Sequence, residues 1–386
     1  MNPDMKSILL ISVMTFAVGC GSSEGNGPDV DAGLTPDAAV RRAPELGTGD
    51  GTPASITLTE IAGPTARLQQ PRDLEFNPMR PDELWVVNYR DDSVTIIHDA
   101  SKDTRTTEYR KDGYALHFMA EVTAISFGQN ETTARVGKPG TFGTCGESRN
   151  HYDNMAAPND FMGPALWSSD PTIFAKLDPM GLGSHLDMLH YAPNCMGIAH
   201  ETANKYWVFA GLSKSIMMFD FGLDDGIGND NHSDGKARQY AAGAVGYVAN
   251  TPSHLVFDPS DSMLYIADTG NHRIARLDTT SGTVGAALNN FERISEFRRV
   301  DGAVIEDVVP DNGTLDAPSG LELHGDYLYV TDNRTAKITA FTRTGEQVNQ
   351  VDTGLGPGAL GGITFGPDGK VYIVDMLNDR VFRLDP

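Results

Sequence analysis

Short apolar runs separated by short polar turns recur along most of this chain. In "PSHLVFDPSDSMLYIADTGNHRIARLD", from Pro252, an apolar run is followed by a polar turn, a run with Tyr and Ile, a second turn and a third, alternating run. The same order is present in "PSGLELHGDYLYVTDNRTAKITAF" from Pro318 and in "LGGITFGPDGKVYIVDMLNDRVFRLD" from Leu360. Two earlier units start at Pro71 and Cys195, and a weaker one, "VTAISFGQN", at Val122. Runs rich in β-branched and aromatic residues, joined by turns of about three or four residues, predict antiparallel strands. Almost no segment repeats with the period of about 3.6 residues that marks a helix. Six such units predict an all-β, six-bladed β-propeller in which each unit is one four-stranded blade.

The last unit holds only three strands before Pro386. The strand-like run "SITLTEIAG" has no unit of its own, and its residues, about 55–62, are expected to supply the missing outer strand and close the ring. The propeller then occupies residues 54–386. Within it, "TGNHRI" after "LYIAD" resembles the NHL repeat. The resemblance spans roughly residues 55–386 and is most specific in the last three units. It implies a rigid ring that presents a face to a partner.

The beginning of the chain has a different character. "MNPDMKSILLISVMTFAVGC" carries one Lys before an apolar run too short to span a bilayer, which needs about 20 residues. This is the pattern of a secretory signal peptide, residues 1–19. Its end, Ala17-Val18-Gly19-Cys20, resembles a bacterial lipobox, which implies that Cys20 is acylated and anchors the protein to membrane. The other reading is an ordinary signal peptide with an incidental Cys. Residues 20–53, rich in Gly, Pro, Asp and Ala, are read as a flexible tether. Gly21 after the lipidated Cys favours the outer membrane of a bacterial envelope, by resemblance to sorting rules in two-membrane bacteria. The formal net charge of −22 argues against nucleic acid, whose phosphates need a basic surface, and is suited to attracting cations.

Besides Cys20 the chain has two cysteines, Cys145 and Cys195. In an exported protein a bridge between them is the parsimonious reading, with free or metal-bound thiols as the alternative. Cys145 lies in a long segment, about 130–190, that interrupts the second unit. Its aromatic residues argue for order, and it is read as an insertion forming a cap over one face.

Candidate chemistry lies where polar residues break the repeat. Aligning the innermost strands gives the column Asp73, Ala124, Gly197, His254, Gly320 and Gly362. Asp73 and His254 are its titratable members, offered to the channel either as hydrogen-bond partners of a neighbouring loop or as ligand or acid–base groups. In a second column, Asp268, Asp332 and Asp375 are each followed five residues later by Arg273, Lys337 or Arg380, which predicts ion pairs pinning the turns. "GSHLDMLHYAPNC" offers His185, Asp187 and His190 in a loop before the third unit. With His254 these form a candidate site for zinc or another transition metal. "DDGIGNDNHSDG" resembles half of a calcium loop through Asp230 and Asp234, with His232 between them and Ala241 where an acid is expected. It is placed at the end of its blade away from His254.

The repeat region contains no G-x-S-x-G elbow, H-E-x-x-H helix or phosphate loop. NHL propellers include peptidyl-α-hydroxyglycine α-amidating lyases, which resemble this chain in repeat and hold metal through histidines of several blades. That resemblance implies a metal-dependent lyase or hydrolase at the channel mouth. The favoured reading is a membrane-anchored module outside the cytoplasm that binds a protein or small-molecule ligand.

Overall fold

The computed structural model describes residues 42–128, 130–149, 160–229 and 231–386. They form six sheets, one per predicted unit, arranged as a β-propeller. Each sheet runs inner, second, third and outer strand, paired antiparallel. Blade 1 is Pro71–Phe76, Glu83–Asn88, Ser93–His98 and Thr106–Arg110. Its second strand, "ELWVVN", is buried at every position because other blades cover both its faces, whereas the outer strand, "TTEYR", is largely open to solvent. That contrast explains why apolar runs mark the middle of each unit and polar residues its edge. Blades pack through large side chains. Trp85 of blade 1 meets the rings of Phe127, Phe142 and Phe174, with centroids 5.0–5.4 Å away. Among the described residues, helix is limited to 3-10 turns and one turn, Ala115–Phe118, and no helix is long and apolar enough to cross a membrane.

Closure occurs as expected. Thr57–Ala62 is the outer strand of blade 6, antiparallel to Arg380–Asp385, with Thr57 opposite Asp385 and Ala62 opposite Val381. The chain packs onto the ring before that strand. Ala43 and Leu46, within the stretch read as tether, are each 1 % exposed. Asn349 Nδ2 donates to the carbonyls of Ala43 (2.8 Å) and Gly47 (3.1 Å), and Tyr329 Oη to Glu45 (2.7 Å). The signal peptide, Cys20 and residues 20–41 lie outside the described residues.

The segment 130–190 is woven into blade 2 rather than laid over it. It supplies the second, third and outer strands, Thr141–Gly146, Ala165–Ser168 and His185–Met188, beside the inner strand Val122–Phe127. These strands are short and contain Gly, Thr and Asp, so they lack the Tyr/Val/Ile signature of the other units. Cys145 therefore sits in a blade. It is bridged to Cys195, the first residue of the inner strand of blade 3, with Cα atoms 5.6 Å apart.

Blade 4 departs from the repeat in another way. Between its third strand, Arg273–Asp278, and its outer strand, Ile305–Val309, the chain leaves the sheet as a hairpin, Thr283–Ala287 and Glu296–Asp301. The second hairpin strand pairs parallel with Lys236–Tyr240, the outer strand of blade 3, so that sheet has six strands. The axis is as crowded as the small-residue column implies. A Cβ on Gly197 would come within 2.1 Å of Ser253 O, and one on Gly362 within 2.8 Å of Asp73 Cα. The predicted ion pair is present at Asp268, whose Oδ2 accepts from Arg273 Nε at 2.8 Å. It is not the rule. Asp332 and Asp375 accept the N–H groups of their own turns, Arg334 and Thr335 in one case and Leu377 and Asn378 in the other.

Candidate functional site

The axial channel holds a cavity of about 260 Å³ lined by the inner strands. On the inner strand of blade 1, alternation places Asp73 and Glu75 on the same face. Asp73 Oδ2 accepts the N–H of Ile125 at 3.0 Å and Glu75 Oε2 that of Phe127 at 2.7 Å, so both carboxylates stitch blade 1 to blade 2. Glu322 enters from blade 5, and His200 lines the same cavity. His254 reaches across from blade 4. Its Nδ1 is 3.5 Å from Asp73 Oδ1, and its Nε2 is 3.2 Å from the carbonyl of Thr123 in blade 2.

Withdrawal from water dominates the acid–base behaviour of the channel. Burial raises Glu322 to about 8, offset in part by the N–H of Leu323. Burial also lifts Glu75 well above its ordinary range, against the N–H of Phe127, and the neighbouring Glu322 and Asp73 carboxylates add to the rise. Asp73 is raised by burial and held back by His254 and two backbone N–H groups. Three carboxylates around one small space cannot all ionise cheaply, so each is held above its ordinary range.

A second constellation lies away from the axis. His185 and Asp187 are on the outer strand of blade 2, not in a loop, and His190 follows that strand. The strand would present a free edge. The chain after the third strand of blade 3 covers it: the N–H of Asp225 donates to Leu186 O at 2.9 Å and that of Gly228 to His185 O at 2.8 Å. This climb carries His232 back to Asp187, with Nδ1 2.9 Å from Oδ1. The blade 4 hairpin then brings Glu292 against His190, whose backbone N–H and Nδ1 both face the Glu292 carboxylate. Burial raises Asp187 to about 7, against the His232 hydrogen bond. Burial opposes charge on His232, but the bond to Asp187 and the nearby carboxylates carry it above its usual value. Burial lowers His190 despite Glu292, and lowers His185 to about 4.

The structure thus divides the sequence candidates. His254 joins Asp73 in the channel, and both its ring nitrogens face protein oxygens. His190 and Asp187 join His232 from the acidic turn, so that turn belongs with the histidine segment rather than apart from it. His185 stacks on Phe118, centroids 3.6 Å apart, and its Nδ1 meets Leu182 O. Asp234 Oδ2 accepts the N–H of Leu223 at 3.0 Å and closes a turn, while Asp230 lies outside the described residues. The several-blade histidine set of the amidating lyases does not fit this axis, because Gly197 and Gly320 flank His254 in the column and leave no side chain to ligate. Glu75 and Glu322 were legible as the positions two residues beyond the column. Glu292 carried no local signal.

No family model and no curated protein matches this sequence. Solved structures do. An auxiliary nutrient binding protein from Bacteroides thetaiotaomicron is 14 % identical, with a TM-score of 0.52, over 82 % of this chain and 69 % of its own. One from Bacteroides ovatus is 15 % identical with a TM-score of 0.51, over 82 % and 69 %. The calcium-binding protein regucalcin from Agrobacterium tumefaciens is 13 % identical with a TM-score of 0.52, over 85 % and 93 %. The likeness is one of fold. It places the chain among six-bladed propeller-like proteins.

Proposed function

We propose that this chain is an extracytoplasmic binding module, anchored by lipid on Cys20 to the bacterial envelope at the outer membrane, whose axial channel takes a small cationic ligand. The observation that carries this reading is the convergence of Asp73, Glu75 and Glu322 on one cavity of about 260 Å³. Oxygen donors of this kind suit a hard divalent cation such as calcium, or an amine, rather than a soft metal. The resemblance in fold to proteins described as nutrient binding and calcium binding is consistent with it. Calorimetric titration of the purified chain with calcium, magnesium and an alkyl diamine tests the proposal. At least one probe should bind with release of protons, and Glu75→Gln with Glu322→Gln should abolish both heat and proton release. Absence of binding by all three, or binding unaffected by the double substitution, overturns it. Radiolabelled palmitate incorporated into the wild type but not into Cys20→Ser tests the anchor.

The second reading is a metal-dependent lyase or hydrolase. The observation favouring it is the histidine cluster beside blade 2, not the channel mouth.

A further inference from the structure

The cluster off the axis has the makings of a site of its own. His190, His232 and Glu292 each offer one ligand atom, and these atoms lie within 4.8 Å of one another. They come from three separate excursions of the chain: the exit from blade 2, the climbing loop of blade 3 and the hairpin of blade 4. His190 is only 4 % exposed, yet its Nε2 has no hydrogen-bond partner among the described residues. Leaving a buried polar atom unmatched typically costs about 1–3 kcal/mol, so such an atom calls for a physical explanation, of which a bound water or ion is one.

An ion pair that merely docks the hairpin does not account for that nitrogen. The hairpin is already held by the Ser295 N–H and Oγ on Gly235 O, at 2.8 and 2.7 Å, and by Tyr191 stacked on Phe297 at 4.1 Å. The second histidine is arranged as metal ligands are. Its Nδ1 is fixed by the buried Asp187 carboxylate, which orients the ring and makes the other nitrogen a better donor. Both imidazoles border a cavity of about 220 Å³ whose walls include His117, Phe118 and Phe161. A coordination position directed there is sheltered yet reachable.

We propose that His190, His232 and Glu292 bind a zinc-class transition metal ion, with Asp187 as a positioning residue for His232 and the fourth coordination position open to the aromatic cavity. Two imidazoles and one carboxylate form a ligand set of catalytic zinc sites, with bonds of about 2.0–2.2 Å and ligand atoms therefore roughly 3.3–3.6 Å apart in a tetrahedron. The donor atoms, within 4.8 Å of one another, must draw together by up to roughly 1.5 Å to reach that spacing, with Glu292 turning away from His190 Nδ1. The open position takes a water molecule or a ligand with one donor atom, and the aromatic walls favour a ligand whose remainder is apolar. The site shares no residue with the channel, so either reading can fail without the other.

The test uses the full-length chain, purified in detergent and stripped with a chelator. Titration with zinc should show one equivalent bound, and cobalt in its place should give the intense visible absorption of a four-coordinate site. His190→Ala and His232→Gln should each weaken zinc binding by at least 100-fold. Asp187→Asn should weaken it about 10–100-fold and shift the cobalt spectrum while keeping the stoichiometry. His272→Ala, at an exposed turn of blade 4, should leave zinc binding unchanged. Thermal unfolding establishes that each variant is folded. His232, less buried than His190, remains the informative position if His190 does not tolerate change. Failure of the folded wild type to retain zinc at micromolar concentration overturns the proposal, as does binding of equal affinity in the His232 variant. An unchanged cobalt spectrum in Asp187→Asn removes that residue's positioning role.

Discussion

Joining Cys145 to Cys195 links the second strand of blade 2 to the inner strand of blade 3 across 50 residues of sequence. Those residues include the third and outer strands of blade 2 and the histidine segment, so in the unfolded chain the bridge removes much freedom. For a loop of this length the chain-entropy relation gives a loss of about 14 cal/mol/K, or about 4 kcal/mol at 25 °C. A fold of roughly 340 residues has an unfolding entropy near 0.7 kcal/mol/K, so loss of the bridge should lower Tm by about 6 °C. Both sulfurs are buried among Leu166, Leu186 and Ile198, and removing them also loosens packing.

A double-mutant cycle separates the two effects. If the cross-link dominates, Cys145→Ala and Cys195→Ala each cost nearly the full amount, and the double variant costs little more than either. If packing dominates, the two costs add. Scanning calorimetry of the four proteins, with the chain oxidised, measures this directly. Additive costs, or a total shift of less than about 2 °C, refute the cross-link argument.

Two further outcomes follow from the same reasoning. Leu46→Ala should destabilise the propeller by about 2–4 kcal/mol through loss of a buried side chain, and deleting 42–50 or 55–62 should lower the urea midpoint, whereas deleting 21–40 should not; an unchanged midpoint for Leu46→Ala removes the early segment from the fold. Glu322 holds its proton to about pH 8 in the folded chain but releases it near 4.5 when unfolded, so its contribution to stability is full below about 4.5 and falls as pH rises through about 8. Glu322→Gln should flatten that decline, by at most about 4–5 kcal/mol between the two limits, and parallel pH profiles of the urea midpoint would contradict the assignment.

The ring was legible because its signal is local and repeated. A buried second strand such as "LYIAD" must be apolar on both faces, and six copies of the pattern count the blades. The closing strand could be read from the same bookkeeping, as one run left over and one strand missing. Blade 2 was not legible in detail because its strands are short and carry Gly143, Thr144 and Asp187 where other blades carry Val, Ile and Tyr. Its aromatic content announced order but not the form the order takes. The burial of Ala43 and Leu46 was not legible for a related reason: they are isolated apolar residues in a Gly- and Pro-rich stretch, and only the surfaces of blades 5 and 6 give them something to bury against.

The candidate chemistry followed a different rule. Column alignment finds residues that share a position in the repeat, so it located Asp73 and His254 and stopped one step short of Glu75 and Glu322. It cannot find residues that meet because the repeat is broken. Asp187 and His232 are 45 positions apart, and His190 and Glu292 are 102 apart. Their meeting depends on two events outside the repeat: a loop that covers the free edge of blade 2, and a hairpin that leaves blade 4 to extend blade 3. Each event satisfies backbone groups at an exposed sheet edge, which is reason enough for it in stability alone. Together they enclose histidines and carboxylates in an aromatic pocket that edge protection does not require. An edge-covering loop can be built from any polar residues. The selection of His190, His232, Asp187 and Glu292 for this corner, with one imidazole nitrogen left unmatched, is what separates a site from a seam.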